Sequence, residues 1–340
     1  MKNPTLTIVR RLVYILFFFA LGQISLAQQL PLYSQYLYNK FLINPAHAGS
    51  DGFASVNVTV REQWVGYDGA PRTYSVSGQA RILKRGYKLK KTIFNKTKYS
   101  PKTDGRVGFG GYIFSDRNGL VQRTGFQGTY SYHFWVEDYT QLSLGLALTG
   151  YHFIINANET NFEDPNEPWL NDNLRRGVFV PDADFGIYLL NYKYDIGFST
   201  QQIFGSAAKI GEYAYRNFDM LRHYYLFGSY RFSGKVKSEL EPSLLLKMSD
   251  QLRPQADVGF TYIYDQSLWA GLAYRTGGAL ISTIRFKFVP SEVKLISMYI
   301  GYAFDYSLNP IQKATWGTHE ISIAVKFGDT AKRFRWLDRL

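Results

Sequence analysis

The 340-residue sequence contains no cysteine, and this absence excludes several kinds of chemistry at once. The chain cannot form disulfide bonds, ligate zinc through thiolates, use a thiolate nucleophile or carry a lipid on an N-terminal cysteine. Because an unpaired thiol is a liability in an oxidising compartment, the absence is compatible with an exported protein.

Long apolar runs are also missing from most of the chain. After residue 27, no apolar stretch approaches the roughly 18 residues that a membrane-spanning helix needs. The mean hydropathy is only -0.21, yet Tyr, Phe and Trp together make up 17% of the sequence. We expect this combination when polar and apolar residues alternate along strands, so that only every second residue meets lipid.

Recognisable catalytic and cofactor motifs are absent as well. The sequence contains no Gly-rich phosphate loop, no nucleophile elbow and no metalloprotease motif. Its five histidines lack the paired spacing of metal ligands, and we interpret His133 and His319 as residues of the membrane interface. We therefore predict a protein that is not an enzyme and has no metal or cofactor. A serine–histidine hydrolase built on a barrel is the enzymatic alternative that the sequence leaves open.

The first 27 residues have the features of a cleavable export signal. Three basic residues precede an apolar core at residues 12–22, and a small-x-small cleavage pattern ends at Ala27. A retained membrane anchor is the alternative, but the apolar core is too short to span a bilayer. Export also argues against a nucleic-acid partner, and the aromatics follow a period of two rather than clustering as a stacking platform.

The stretch Thr318–Phe327 shows the pattern that recurs through the chain. Its apolar residues fall at every second position, at Ile321, Ile323, Val325 and Phe327. Successive side chains of a strand point to opposite faces, so this stretch has one apolar and one mostly polar face. A soluble antiparallel sheet can share that pattern. Its repetition in segments of about ten residues, after an export signal, predicts an all-β protein: a single antiparallel outer-membrane β-barrel of about 14 strands.

This interpretation divides the chain into four parts. Residues 1-27 form the signal peptide, and residues 28-52 form an N-terminal segment without strand alternation, a possible plug or lock. Residues 53-327 form the barrel, and residues 328-340 form a C-terminal tail. Charged and amide residues on the predicted lumen face either pair and fill the barrel or line a water-filled pore. They include Arg61, Gln79, Arg81, Glu241, Arg275, Asp305, Glu320 and Lys326.

Connection lengths predict the orientation of the barrel. Bacterial barrels keep both termini and their short turns in the periplasm and expose longer loops outside. The long connections at residues 156–181, 202–222 and 306–316 would then be outer loops. Residues 84–106 are the exception: they carry nine Lys or Arg and one acid, and would form a long periplasmic insertion unless the first two strands are misassigned.

The basic insertion has two interpretations. It is either a solvated loop or a contact surface for an acidic partner or anionic lipid headgroups. The candidate partner-contact residues are Lys88, Lys90, Lys91, Lys96 and Lys98.

Four short motifs together resemble a known family. They are YSQY at residues 33–36, NPAHAG at 44–49, REQWVGYDGAPRT at 61–73, and HEI at 319–321. Their order and spacing, from about residue 33 to residue 327, resemble the PorP/SprF family of outer-membrane proteins from Bacteroidota. That family belongs to the type IX secretion and gliding apparatus. The family-motif residues to which the resemblance assigns structural roles are Gln35, Asn44, Pro45, Gly49, Gln63, Trp64, Gly66, Pro71 and Thr73.

The resemblance implies a non-enzymatic component of the cell outer membrane. Such a component would support the secretion or surface attachment of large adhesins through their C-terminal signal domains. Its implied partners are outer-membrane lipid, other type IX secretion components and the C-terminal signal domain of a secreted adhesin. The alternative function is that of a general diffusion porin or a small-ligand outer-membrane transporter.

Overall fold

Fourteen antiparallel strands close into a single barrel in the computed structural model. This confirms the predicted fold class and strand number. The structure describes residues 33–82, 106–137, 140–155, 178–205, 207–208, 218–219, 221–234, 237–250, 254–291 and 296–327. The predicted signal peptide, the candidate contact lysines (Lys88, Lys90, Lys91, Lys96 and Lys98) and the C-terminal tail lie outside the described residues.

The barrel strands are numbered in chain order. They are β1 (Ala54–Glu62), β2 (Arg72–Ile82), β3 (Val107–Asn118), β4 (Val121–Glu137), β5 (Thr140–Ile155), β6 (Val178–Asn191), β7 (Tyr194–Gln201), β8 (His223–Tyr230), β9 (Ser238–Ser249), β10 (Gln255–Tyr264), β11 (Leu268–Arg275), β12 (Ala279–Phe288), β13 (Ile296–Ser307) and β14 (Thr318–Phe327).

A few short elements lie outside the ring. The two-residue pieces Ala207–Ala208 and Phe218–Asp219 pair with each other, and Phe232–Ser233 pairs with β9. Short 3-10 helices occur at Lys40–Leu42, Pro45–His47 and Pro310–Ala314. No helix of the described residues is long and apolar enough to cross a membrane.

Each strand pairs with its neighbour in the chain, and β14 closes the ring on β1. This last pairing runs from Ala54 opposite Phe327 to Glu62 opposite His319. Since the strand number is even, the start of β1 and the end of β14 lie at the same end of the barrel. We call this end the terminal rim, and the end where β1 leads into β2 the distal rim.

Side-chain alternation follows the predicted faces. In β1, Asn57 and Thr59 are buried in the lumen, whereas Val56 and Val58 face outward and are exposed. Burial on the lumen side also holds for the predicted charges Arg61, Arg275, Asp305 and Glu320. The period of two was therefore sufficient to assign the faces of the wall.

One strand begins earlier than predicted. The outer loop was expected to extend to Pro181, but β6 starts at Val178 and pairs Pro181 with Gly150 of β5. The pairing of β6 with β7 covers only Phe185 to Leu190. Pro181 thus lies where β6 has a barrel strand on one side only, and a proline, which has no N–H, is tolerated at such an edge position.

The outward register predicts a depth-dependent cost for a charge. Leu146 lies near the middle of β5 and Val136 near the terminal end of β4, and both are 61% exposed on the outward face. An arginine at the bilayer midplane costs about 2–4 kcal/mol, against about 0–1 kcal/mol near the interface. We therefore expect Leu146→Arg to lower folding yield, measured by heat-modifiable migration after refolding into lipid. Equal yields for Leu146→Arg and Val136→Arg would contradict the assigned depth.

Candidate functional site: the occupied lumen

The lumen of the barrel is occupied by the chain itself. Residues 33–53 lie inside the wall, and they include the fully buried Asn44 and Ala46. The short helix Pro45–His47 packs against β4, β5 and β6. We call residues 33–53 the plug.

Glycines in the wall make room for the plug. A Cβ atom on Gly145 of β5 would lie 2.2 Å from the backbone nitrogen of Ala46. One on Gly186 of β6 would lie 2.0 Å from the side-chain oxygen of Asn44. Non-bonded atoms cannot approach so closely, so a residue with a Cβ atom would clash with the plug at these two positions. Glycine allows the plug to pack directly against the strand backbone.

The distal half of the plug is bound by one carboxylate of the closing strand. Glu320 accepts hydrogen bonds from the backbone N–H groups of Ser34 (2.7 Å) and Gln35 (2.9 Å). Arg61 of β1 donates to Glu320 at 3.0 Å and to Asp305 at 2.9 Å. The hydroxyl of Ser34 donates to Asp305 at 2.6 Å. The first strand, the last strand and the plug therefore meet in one buried network.

Arg275 extends this network around the lumen. Its guanidinium lies 2.8 Å from Asp257 and 3.4 Å from Asp305. All of these groups are buried, and buried charges persist when they are paired and hydrogen-bonded. The charged groups of this network therefore compensate one another inside the barrel.

Asn44 bridges two wall strands in the middle of the plug. Its side-chain amide donates to the carbonyl oxygens of Ile187 (2.9 Å) and Phe198 (3.2 Å), which are register partners in β6 and β7. Its side-chain oxygen accepts from the N–H of Ala46 at 2.8 Å and caps the short helix that begins at Pro45. The Asn-Pro motif therefore both starts the helix and fastens it to the wall.

Ion pairs hold the part of the plug near the terminal rim. Lys40 pairs with Asp195 of β7, and Lys326 of β14 lies 3.2 Å from Asp51. Burial opposes ionisation of Asp51, but the Lys326 ammonium helps to hold its pKa below the ordinary value. Burial lowers the pKa of His47, whose ring lies 3.5 Å from the same carboxylate. Lys326 is therefore the principal countercharge of Asp51.

His133 belongs to this site, and its assignment to the membrane interface was wrong. The ring is fully buried in the lumen, with one nitrogen 3.1 Å from the carbonyl oxygen of Ala48 and the other 2.7 Å from the hydroxyl of Ser143. The alternation of inward and outward side chains along β4 places His133 on the lumen face, and this could have been predicted from the sequence. The aromatic neighbours Tyr132 and Phe134 face outward and suggested an interface instead.

The structure separates the motif residues into two groups. Gln35, Asn44, Pro45 and Gly49 lie in the plug, and Gly49 donates its N–H to Gln79 of β2 at 3.1 Å. The others lie in or beside the β1–β2 connection at the distal rim: Gln63, Trp64, Gly66, Pro71 and Thr73.

The β1–β2 connection is fastened to the loop before β14. Val65 donates to the carbonyl of Gly317 (2.9 Å) and accepts from the N–H of Trp316 (2.8 Å). Trp64 has a left-handed backbone (φ 51°), and its N–H donates to the hydroxyl of Thr318. A Cβ on Gly66 would lie 2.8 Å from the Trp316 indole. These contacts link the two connections that flank the closing seam.

Two further contacts complete this connection. Gln63 donates its N–H to the carbonyl of Pro71 at 2.9 Å, which closes the base of the loop. The hydroxyl of Thr73 donates to Asp116 of β3 at 2.6 Å.

Among the described residues, no group of three or more His, Asp or Glu side chains could hold a metal ion.

A family model described as type IX secretion system membrane protein PorP/SprF matches residues 25–325. The chain belongs to the PorP/SprF family. Its fold is accordingly that of a membrane β-barrel in a secretion-system family, as the motifs implied. A comparison with curated proteins gives no match.

Solved structures similar to this PorP/SprF chain include membrane transporters and channels of low sequence identity. The toluene transporter TbuX of Ralstonia pickettii is 12% identical, with a TM-score of 0.49 over 85% of this chain and 92% of that chain. A FadL homologue of Pseudomonas aeruginosa is 11% identical, with a TM-score of 0.48 over 88% and 95%. The monoaromatic hydrocarbon channel CymD is 12% identical, with a TM-score of 0.49 over 89% and 94%.

The network predicts that Glu320 stabilises the PorP/SprF barrel. Breaking a buried ion pair typically costs about 3–5 kcal/mol, so we expect Glu320→Gln to lower the unfolding temperature clearly. The measurement is the temperature at which the folded, fast-migrating band disappears on a gel. Glu62→Gln is the matched control because Glu62 is 41% exposed, and exposed substitutions usually change stability by about 0.5 kcal/mol or less. Similar shifts in both variants would contradict the assigned role.

Proposed function

We propose that this protein is a non-enzymatic component of the type IX secretion and gliding apparatus in the cell outer membrane. It would support the secretion or surface attachment of large adhesins through their C-terminal signal domains. The family match supports the secretion system. The filled lumen supports a second part of this proposal, that the barrel is a closed platform on which cargo docks and is not the route through which cargo passes.

Plug contacts extend along most of the lumen. They run from Glu320 near the distal rim to Asp51 and Lys326 near the terminal rim. A cavity of about 60 Å³ between plug and wall, lined in part by Lys40, Asp195 and Trp269, has room for only a few waters. A folded signal domain could not pass through such a space, so it would meet the protein at its ends or its outer surface.

The connections support an orientation with the terminal rim in the periplasm. Short turns at residues 192–193 and 265–267 lie on the terminal rim, and longer connections at 202–222 and 308–317 lie on the distal rim. This is the asymmetry of bacterial barrels that are exported by a signal peptide. In this orientation, β5 and β7 end at the cell exterior, so that the connections that follow them would meet the cargo, and β2 ends in the periplasm, so that the connection that follows it would meet secretion components. Most residues of these three connections lie outside the described part of the chain.

Conductance in planar bilayers separates this proposal from the diffusion-porin alternative. We expect the native barrel to show no steady open-pore conductance, because the plug occupies the lumen. Gly145→Val should unseat the plug and produce conductance, since its Cβ would lie 2.2 Å from Ala46. Gly128→Val is the matched control, because a Cβ there meets nothing within 4 Å. Steady conductance of the native barrel would favour the porin.

Deletion of the gene tests the proposed role in adhesin secretion separately from the closed lumen. Deleting the gene should remove adhesins with C-terminal signal domains from the cell surface, and the native gene should restore them. Unchanged surface adhesin in the deletion strain would contradict the proposed function even if the barrel proves closed.

The basic insertion predicts a salt-dependent contact. Replacing Lys88, Lys90, Lys91, Lys96 and Lys98 together with Gln should leave barrel insertion normal but weaken co-purification with periplasmic secretion components. The remaining association should respond less to salt, since long-range attraction between charged surfaces is screened by ions. The same five positions changed to Arg keep the charge and should behave as the native protein. Unchanged co-purification of the Gln variant would identify the segment as a solvated loop.

A further inference from the structure

Two neighbouring carboxylates lie buried in the distal half of the lumen. Asp182 and Asp184 both point inward from β6, and they are 2% and 1% exposed. The next inward position toward the terminal rim is Gly186, where Asn44 of the plug is seated against the wall. The two carboxylates therefore lie just beyond the plug on its distal side.

Each carboxylate uses only one of its two oxygens. Oδ1 of Asp184 accepts from the N–H of Gln202 at 2.9 Å, and Oδ1 of Asp182 accepts from the N–H groups of Phe204 (2.9 Å) and Ala183 (2.7 Å). The Oδ2 atoms of both residues are buried and have no hydrogen-bond partner among the described residues. A buried carboxylate normally has partners for its charge, so the two free oxygens call for one.

The arginines of this region are bound to other groups. Arg123 of β4 lies 3.2 Å from Asp116, and Arg222 donates to the carbonyl oxygen of Ile203 at 2.7 Å. In the described part of the chain, no ion pair joins Asp182 or Asp184 to a basic side chain. Two carboxylates on one face of a strand repel each other, so a cation between them would relieve this repulsion.

Neutral oxygens lie at the same level on the neighbouring strands. Gln127 of β4, Thr149 of β5 and Asp182 are register partners in one inward row. The side chain of Gln127 is 5% exposed, and its Oε1 atom is buried without a hydrogen-bond partner among the described residues. Thr149 contributes a hydroxyl oxygen, which has the Tyr151 hydroxyl as a neighbour.

The amide of Gln127 extends toward the second carboxylate. Its Nε2 group donates to the hydroxyl of Thr129 at 2.8 Å, so the amide lies at the level of the next inward row, which is formed by Thr129, Ala147 and Asp184. Ala147 is small and leaves space between the amide and the Asp184 carboxylate. With its nitrogen bonded to Thr129, the amide leaves its oxygen for a partner in the lumen.

A hard divalent cation prefers oxygens of this kind. Calcium binds carboxylates, amide carbonyls and water, and it accepts irregular arrangements of six to eight oxygens. The arrangement contains two carboxylates and not three, so neutral oxygens and water would complete the coordination. Unsatisfied buried acceptors next to two negative charges are better explained by a cation than by water alone, because water brings no countercharge.

We infer that Asp182, Asp184 and Gln127 bind one calcium ion just distal to the plug. The ion also fastens the start of the connection that follows β7, because the same carboxylates hold the N–H groups of Gln202 and Phe204. The sequence predicted no metal because Gln127 and Asp184 are far apart in the chain. The inference goes beyond the proposed function and does not depend on it.

The test measures calcium that is held by the purified barrel. Protein refolded in detergent without lipopolysaccharide is stripped with a chelator and dialysed against about 1 mM calcium, where extracellular calcium modules bind. Its metal content and its unfolding temperature are then measured. We expect one calcium ion per native chain and a higher unfolding temperature than for the stripped protein, because a ligand of the folded state stabilises it.

The double variant Asp182→Asn/Asp184→Asn should hold no calcium. It should also unfold at a higher temperature than the stripped native protein, since asparagine keeps an oxygen for the N–H groups of Gln202 and Phe204 but removes the repulsion. Gln127→Met keeps both carboxylates and should weaken calcium binding about tenfold. This variant tests the site even if the double variant fails to fold.

A matched control removes two acids from exposed positions. Glu62 and Asp265 are 41% and 47% exposed, so Glu62→Gln/Asp265→Asn should hold calcium like the native protein. Native protein without calcium would overturn the inference. Equal calcium in the native protein and the Asp182→Asn/Asp184→Asn variant would also overturn it, since it would show an adventitious ion only. Either result would leave the secretion proposal intact, because that proposal is tested on adhesins at the cell surface.

Discussion

The carboxylate of Glu320 is the group on which the closed form of this barrel depends. It is 1% exposed, and it binds Arg61 of the first strand while receiving two backbone N–H groups of the plug. A buried carboxylate is tolerated when it has such partners. Removing the plug would leave Glu320 with one cation and would also take the Ser34 hydroxyl from Asp305. Seam closure and plug seating are therefore energetically coupled.

The wall of the barrel could be predicted because alternation encodes the face of each residue. Strand β5 runs from Thr140 to Ile155, and its leucines alternate with small and polar residues in the sequence. The same period assigned Arg61, Asp305 and Glu320 to the lumen. The predicted loop extended to Pro181 because proline usually interrupts a strand. The sequence does not show that β6 pairs only with β5 at this position, where a proline is tolerated.

The contents of the lumen could not be predicted in the same way. A period of two gives the face of a residue but not its depth, and it does not show which side chain meets which across the barrel. His133 and Ala48 are 85 positions apart, and Ser34 and Glu320 are 286 apart. The partners of the motif residues Asn44 and Gly49 could not be predicted, because Ile187, Phe198 and Gln79 lie in strands far from them in sequence.

A lumen filled by a polar plug limits where a secretion component can act. Stability alone does not explain why the plug is polar, because replacing buried ion pairs with well-packed apolar residues is often neutral or stabilising. Directional hydrogen bonds do specify a single seating, as with Asn44 against two carbonyls. Because the plug occupies the lumen in one position, partners can bind only at the two rims or on the membrane-facing surface. At the distal rim, the β1–β2 connection is fastened beside the closing seam through Val65 and Trp316. A partner bound there would contact a connection already tied to the strand that holds Glu320.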